Sequence, residues 1–432
     1  MARRLDTREA GFDADFRALI AQDRDEAANV DTAASGILAE VIERGDAALF
    51  HYTEHFDRLR LTPETAAVSA AEVDAAIQQC DAADLDAIAV AAARLRAFHR
   101  AQVPADTDWT DDEGVRLGQR WTAIEGVGLY VPGGTAAYPS TVLMNAIPAR
   151  VAGVARLVMT VPAPDGHLSP LVLAAAREAG VDEIYRVGGA QAIGALAYGT
   201  KTIRPVDKIV GPGNAYVAAA KKLVFGTVGI DMIAGPSEIL VVADGDNDPA
   251  WVAADLMSQA EHDENARAVL ITDDTAFADR VAAAVDTLLT WLSRAAIARA
   301  SWDANGAIIT VRDLAGEAPA LVDRVAPEHL ELCVADPDAL LKRIRNAGAA
   351  FLGRHTPEAV GDYVGGPNHV LPTAGSARFS SGLSVLDFCK RTTYVGCRAE
   401  GIGRIGPAAE RLARAEGLEA HAVSVQRRLE GG

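Results

Sequence analysis

The feature that most constrains this chain is a strict alternation of short apolar runs and helical segments across residues 126–236. "EGVGLYVPGG" reads as a strand ending in a Pro-Gly-Gly turn, and "STVLMNAIPARVAGV" as the helix that follows it. "RLVMTVPAP", "EIYRVGG" and "VDKIVGPGN" are further strands; "SPLVLAAAREAGV", "AQAIGALAYGT" and "AYVAAAKKLVFG" are helices. Strands separated by helices cannot pair as hairpins. Each crossover brings the chain back in the same direction, which builds a parallel sheet with helices on its faces.

A second run of the same kind follows. "SEILVVAD", "RAVLIT", "GAIITV" and "LELCVAD" are strands, with helices over "DPAWVAADLMSQAEH" and, unbroken, over residues 275–302. Both blocks look like nucleotide-fold halves, although neither contains GxGxxG; "YVPGG" and "GPGN" are glycine turns of related physical use. Residues 1–100 read mostly as helix, and from about 380 the elements shorten before a basic amphipathic C-terminal helix.

At 432 residues the chain is too long for one ordinary domain, and with 50% hydrophobic residues it can bury sizeable cores. A net charge of −18 repels phosphate backbones, which argues against nucleic acid as a partner. The four cysteines, Cys80, Cys333, Cys389 and Cys397, form no CxxC pair and suit a reducing, cytoplasmic setting. Cys80 and Cys333 read as packing residues. The N-terminus lacks the apolar core of a signal peptide, and no run of about 18 apolar residues could span a membrane.

Polar groups gather at four places. In "SQAEHDE", Gln259 and His262 are three apart, about 60° around a helix, so they share a face and can ligate one ion. The ordinary reading is a solvated helix end, and Asp263 would be a more usual ligand than Gln259. In "APEHLEL", Glu328 and His329 precede a strand; in a turn both can face one cavity and divide proton transfers. "GDYVGGPNHVLPT" sets Asp362 and His369 about a Gly-Gly-Pro turn, where glycines permit close backbone approach and the flanking polar groups can line a pocket. Glu416 and His421 in "EGLEAHAV" are five apart, not one helix face, and a lone terminal-helix His is usually a surface residue. GxSxG, GxxxxGK[ST] and HExxH are absent.

Together these blocks resemble the histidinol dehydrogenase family. The resemblance is carried by "GLYVPGGTAAYPSTVLMNAIPA", "GGAQAIGALAYGT", "VDKIVGPGNAYVAAAKK", "AGPSEILVVAD", "SQAEHDE", "APEHLEL", "DYVGGPNHVLPTAGSARFSSGLSV" and "EGLEAHAVSV", from about 120 to 425. It implies a zinc- and NAD-dependent, four-electron oxidation of L-histidinol through L-histidinal to L-histidine. Its implied zinc ligands, one ion per subunit, are Gln259, His262, Asp362 and His421. Implied substrate contacts are these four with Ser237, His329, His369 and Glu416; His421 and Glu416 would come from the partner of a homodimer with shared sites. Glu328 would activate water and His329 would move the alcohol proton. Tyr130, Gln191 and Asn214 would contact NAD.

The expected fold class is α/β: two incomplete Rossmann-like parallel-sheet domains plus small helical N- and C-terminal domains, in an intertwined homodimer. The expected boundaries are a helical arm at 1–25, a metal-bearing α/β domain from 26–125 and 237–380, an NAD-binding domain at 126–236, and a tail at 381–432 that reaches the partner. Competing readings are a relative oxidising another alcohol, a zinc hydrolase with Glu328 as base, and a non-catalytic binding protein.

Overall fold

The computed structural model describes residues 2–21, 27–133, 138–233 and 235–431. The expected boundary at 25/26 and Gly134 of the Pro-Gly-Gly turn lie outside the described residues. In chain order the strands are β1 (Arg3–Asp6), β2 (Thr107–Thr110), β3 (Val115–Ala123), β4 (Gly126–Tyr130), β5 (Arg156–Thr160), β6 (Glu183–Tyr185) and β7 (Lys208–Val210). They continue as β8 (Gly229–Ile230), β9 (Glu238–Ala243), β10 (Arg267–Thr272), β11 (Ala307–Thr310), β12 (His329–Cys333), β13 (Ala349–Leu352) and β14 (Cys389–Cys397).

Two of the sheets are wholly parallel, as the alternation requires. The larger runs β1-β11-β10-β9-β12-β13 and the smaller β6-β5-β4-β7-β8. Apart from β1, each follows the doubly wound order in which the first strand of the block is central and the fourth is its other neighbour, and each lacks a sixth strand. Central strands are buried throughout because helices cover both faces: every residue of β9 and β12 is buried, Glu238, His329 and Glu331 included. Helix starts are fixed by side-chain caps, with Asp248 accepting from the Ala250 N–H, Asp274 from Ala276 and Phe277, and Asn214 from Val217. Each fully buried Leu, Ile, Val or Phe in these layers contributes about 1.5–3 kcal/mol.

Four local expectations need correction. The N-terminal arm is not only helical: Arg3–Asp6 pairs in parallel with Ala307–Thr310 as the edge strand of the larger sheet. The helices between 27 and 100 do not join the metal-bearing domain. Val73, Ala91, Ala92 and Leu95 pack in one core with Val127, Leu157 and Met159, and Ala34, Leu38 and Leu49 in another with Val158 and Ile193, so these helices cover the smaller sheet. The helix read through 275–302 is two helices, Thr275–Leu288 and Ala295–Asn305; the chain turns between them so that Ala298 and Trp302 pack in the same core as Val281 and Val285. The tail contains a strand as well as helices. β14 pairs antiparallel along all of β3, which also pairs with β2, before the helices Ala399–Ala415 and Glu419–Glu430.

Candidate active site

The site is assembled at the amino end of β12, where it runs beside β9. Glu328 and His329 are both buried. The first residue of β9 holds both: the Glu238 N–H donates to Glu328 Oε2 at 2.9 Å, and His329 Nδ1 donates to the Glu238 carbonyl at 3.2 Å. That contact fixes the imidazole tautomer and turns Nε2 toward the cavity. Glu328 Oε2 lies 3.8 Å from His329 Nδ1, so the adjacent pair does converge. Ser237 is half-buried immediately before Glu238, and its carbonyl accepts the Arg267 N–H at 2.9 Å.

The short helix Glu358–Tyr363 brings the third group. Asp362 Oδ1 stands 3.7 Å from His329 Nε2 and 3.9 Å from His369 Nδ1, whose N–H donates to the Asp362 carbonyl at 3.0 Å. Gly361 lets this helix lie on Phe351, since a Cβ there would come within 2.2 Å of the ring. Glu358 Oε1 is 3.8 Å from His329 Nε2. Sequence reasoning missed Glu358. The available signal was its spacing of four from Asp362, which puts two carboxylates on one helix face. Ser258 donates to Glu358 Oε2 at 3.0 Å, and buried Glu331 accepts the Glu358 N–H at 2.6 Å.

The helix Pro249–Ala260 supplies the remaining groups. Gln259 is fully buried in its last turn and donates from Nε2 to His262 Nδ1 at 2.9 Å. His262 lies just past the helix end, exposed in the single chain. The cavity is about 510 Å³, running from His329 and Asp362 past His369 toward Arg94, Phe98 and Ser384.

The charges are tightly interdependent. Burial pushes the Glu328 carboxyl up to about 7. Burial alone would lower His329, but the carboxylates of Glu328, Asp362 and Glu358 outweigh it and push the imidazole up to about 10. Glu358 is raised by burial and by the Asp362 charge. For Asp362 burial acts the other way, yet the neighbouring imidazoles of His329 and His369 draw its carboxyl down.

Three buried polar atoms, Gln259 Oε1, His329 Nε2 and Glu358 Oε1, have no hydrogen-bond partner among the described residues. Nitrogen and oxygen donors of His329, Glu358 and Asp362 lie within 4.8 Å of one another. Buried polar atoms left unpaired are costly, and carboxylate and amide oxygens beside an imidazole that can release its proton fit a divalent cation. Of the four ligands implied by the resemblance, Gln259 and His262 are hydrogen-bonded to each other and the Asp362 charge acts on His262, while Asp362 itself clusters with His329 and Glu358. His421 does not join them: it is exposed on the terminal helix, as is Glu416 just before it.

The expected dinucleotide contacts meet at the smaller sheet. Its order switches between β4 and β7, and the crevice outside the carboxyl ends of such strands is the usual ligand position. Tyr130 ends β4; its hydroxyl accepts the Gly189 N–H at 3.1 Å, and burial pushes it up to about 12. Gln191 is 1% exposed, its Oε1 without a partner among the described residues, and Asn214 caps the helix after β7. Gly211 has φ of 111°, and a Cβ there would sit 2.1 Å from the Tyr130 carbonyl oxygen, so only glycine allows the loop this close. A GxGxxG string does occur in the tail, at Gly401, Gly403 and Gly406, but it lies inside the helix Ala399–Ala415. There Gly406 makes room for Val425 and Leu429, a packing role.

Residues 20–429 match the family model described as histidinol dehydrogenase. The chain belongs to the histidinol dehydrogenase family. It is 65% identical to the histidinol dehydrogenase of Rhodospirillum rubrum across the full length of both, and 62% identical to that of Ruegeria pomeroyi over 100% of this chain and 99% of the relative. The crystal structure of histidinol dehydrogenase from Elizabethkingia anophelis superposes with a TM-score of 0.95 at 37% identity, covering 100% of this chain and 98% of that one. This family of oxidoreductases therefore shares the two-sheet α/β architecture described above.

Proposed function

We propose that this histidinol dehydrogenase family member oxidises L-histidinol to L-histidinal and then to L-histidine, using two NAD and a bound zinc ion. The observation that carries the reading is the convergence of Glu328 and Asp362 on the His329 imidazole, which with Asp362 and His369 lines one cavity, in a chain of this family. Gln259, His262 and Asp362 would hold the cation, with His421 of a second copy completing the set. When bound, the cation would hold the substrate's polar groups and offset the carboxylate charge that keeps His329 protonated.

The protein's own groups then account for the proton movements. In the first step the alcohol O–H proton would pass to His329 Nε2, and NAD, when bound, would accept the carbon-bound hydrogen as hydride. The aldehyde and NADH result. In the second, Glu328 takes a proton from water as its oxygen adds to the aldehyde carbon. The resulting hydrate anion would give up hydride, which a second NAD would accept, and so become the carboxylic acid. A carboxyl poised at about 7 suits a base that must gain and release a proton near neutrality.

Cysteine has no place in this scheme. Burial, then the Glu331 and Asp255 carboxylates, push the Cys333 thiol far above its ordinary range, so the thiolate a nucleophile needs is disfavoured. Dinucleotide binding is placed in the β4–β7 crevice with Tyr130, Gln191 and Asn214. The homodimer with shared sites rests on the exposure of His421 and Glu416 in a tail whose Leu412 and Val395 are 63% and 67% exposed. Among the described residues no helix is long and apolar enough to cross a membrane; free cysteines fit a cytoplasmic enzyme.

The test is NAD reduction by L-histidinol before chelation, after chelation, and after zinc is restored. Activity is expected to vanish and return. Unchanged turnover in protein shown to be metal-free would refute the zinc-dependent reading.

A further inference from the structure

The pair Lys221 and Asp231 is buried, with side chains 2% and 1% exposed, and it lies outside the site just described. Lys221 is in the last turn of the helix Ala215–Val224, and Asp231 directly follows β8. The two form an ion pair. Lys221 Nζ also donates to the Gly211 carbonyl at 2.8 Å, and Asp231 Oδ2 accepts the Gly211 N–H at 2.7 Å. One buried ion pair thus grips both polar groups of a single glycine. That glycine abuts the Tyr130 carbonyl and begins the turn that ends at Asn214.

Stability does not explain the arrangement. Desolvating two charges costs as much as their attraction returns, and well-packed apolar residues of similar volume often do as well or better. The neighbouring Lys222 pairs with Asp31 at the half-exposed surface, where such a charge is inexpensive. What the buried pair does provide is a defined position for the Gly211 peptide, and with it the direction of the loop.

We infer that Lys221 and Asp231 are positioning residues for the dinucleotide, holding the 211–214 turn so that Asn214 and its helix face Tyr130. The inference rests on the NAD reading of this domain. Neither side chain touches the cofactor in this account; both act through Gly211.

The experiment compares wild type, the double variant Lys221→Met/Asp231→Leu, and Asn214→Ala. NADH binding is measured by fluorescence and calorimetry, KM and kcat with L-histidinol, and the thermal midpoint on each zinc-loaded protein. Single substitutions leave one buried charge unpaired and endanger folding; the double variant removes both charges. It is expected to melt at or above the wild-type midpoint. Its NADH affinity and KM for NAD should worsen about tenfold or more, while kcat at saturating NAD changes less than about threefold. A folded double variant that binds NADH like wild type, while Asn214→Ala binds weakly, overturns the inference alone. If Asn214→Ala also binds like wild type, the NAD reading of this crevice falls and takes the inference with it. A double variant that fails to fold shows the pair to be a stability element and likewise overturns the positioning role.

Discussion

On the proposed role of Glu328 as the base that activates water, replacing it with Gln should separate the two oxidations. Glu328 is 7% exposed and its Oε2 accepts the Glu238 N–H at 2.9 Å. The amide oxygen of Gln has the same reach, so that bond survives and the net stability change stays within about 1 kcal/mol. The substitution also removes a buried charge, so the lost attraction to His329 is offset by the relief of burial and of repulsion from Glu238 and Asp362. What Gln cannot do is take a proton from water. Loss of a positioned base costs about 10²–10⁴-fold, or about 3–5 kcal/mol of barrier. Rapid-mixing measurements of NADH formation, starting separately from L-histidinol and L-histidinal, read the two halves. Aldehyde oxidation should fall by about 10²–10⁴-fold, while the first hydride transfer from histidinol falls less than about tenfold. The reasoning is refuted if aldehyde oxidation stays within tenfold of wild type, or if both halves fall equally in protein with an unchanged thermal midpoint.

Other substitutions probe the remaining parts. Cys333→Ala should keep turnover within about threefold and cost about 1 kcal/mol of stability; a loss of several orders of magnitude in folded protein would restore a role for the thiol. Gln259→Leu keeps the buried volume but removes the unpartnered Oε1, so metal retained after dialysis should fall at least tenfold to about a hundredfold in affinity. Full metal occupancy would exclude Gln259 as a ligand. Mixing His421→Ala chains with Glu328→Ala chains tests the shared site. Random exchange makes half the dimers hybrid, each with one intact site of two, so activity should recover to about a quarter of wild type. No recovery in hybrids shown to form would place the whole site within one chain.

The sheets were legible in the sequence because alternation of strand and helix is a local pattern. What it could not convey were pairings between distant segments. "RRLD" carries no strand pattern, yet it pairs with residues some 300 positions later. The helices between 27 and 100 show an apolar face but nothing about which sheet that face meets, so their assignment to the metal-bearing domain failed. At the site, helical spacing offered Gln259 and His262 only as one reading beside a solvated helix end and the resemblance singled them out, whereas the spacing of Glu358 from Asp362 was there to be read. Glu331 and Lys221 were hidden differently. Each is a charge set inside an apolar run, "EHLELCV" and "AAAKKLVF", and such a charge signals a buried partner that only the fold reveals. Helical phase does separate the two lysines: Lys221 falls on the face of Val217 and Val224, Lys222 off it.

The most direct test of the account is the number of NADH released per molecule of L-histidinol by the zinc-loaded protein. The account predicts two, with L-histidine as the product, because His329 and Glu328 serve successive oxidations in one cavity. A value of one, with L-histidinal as the end product, would contradict it and remove the role given to Glu328.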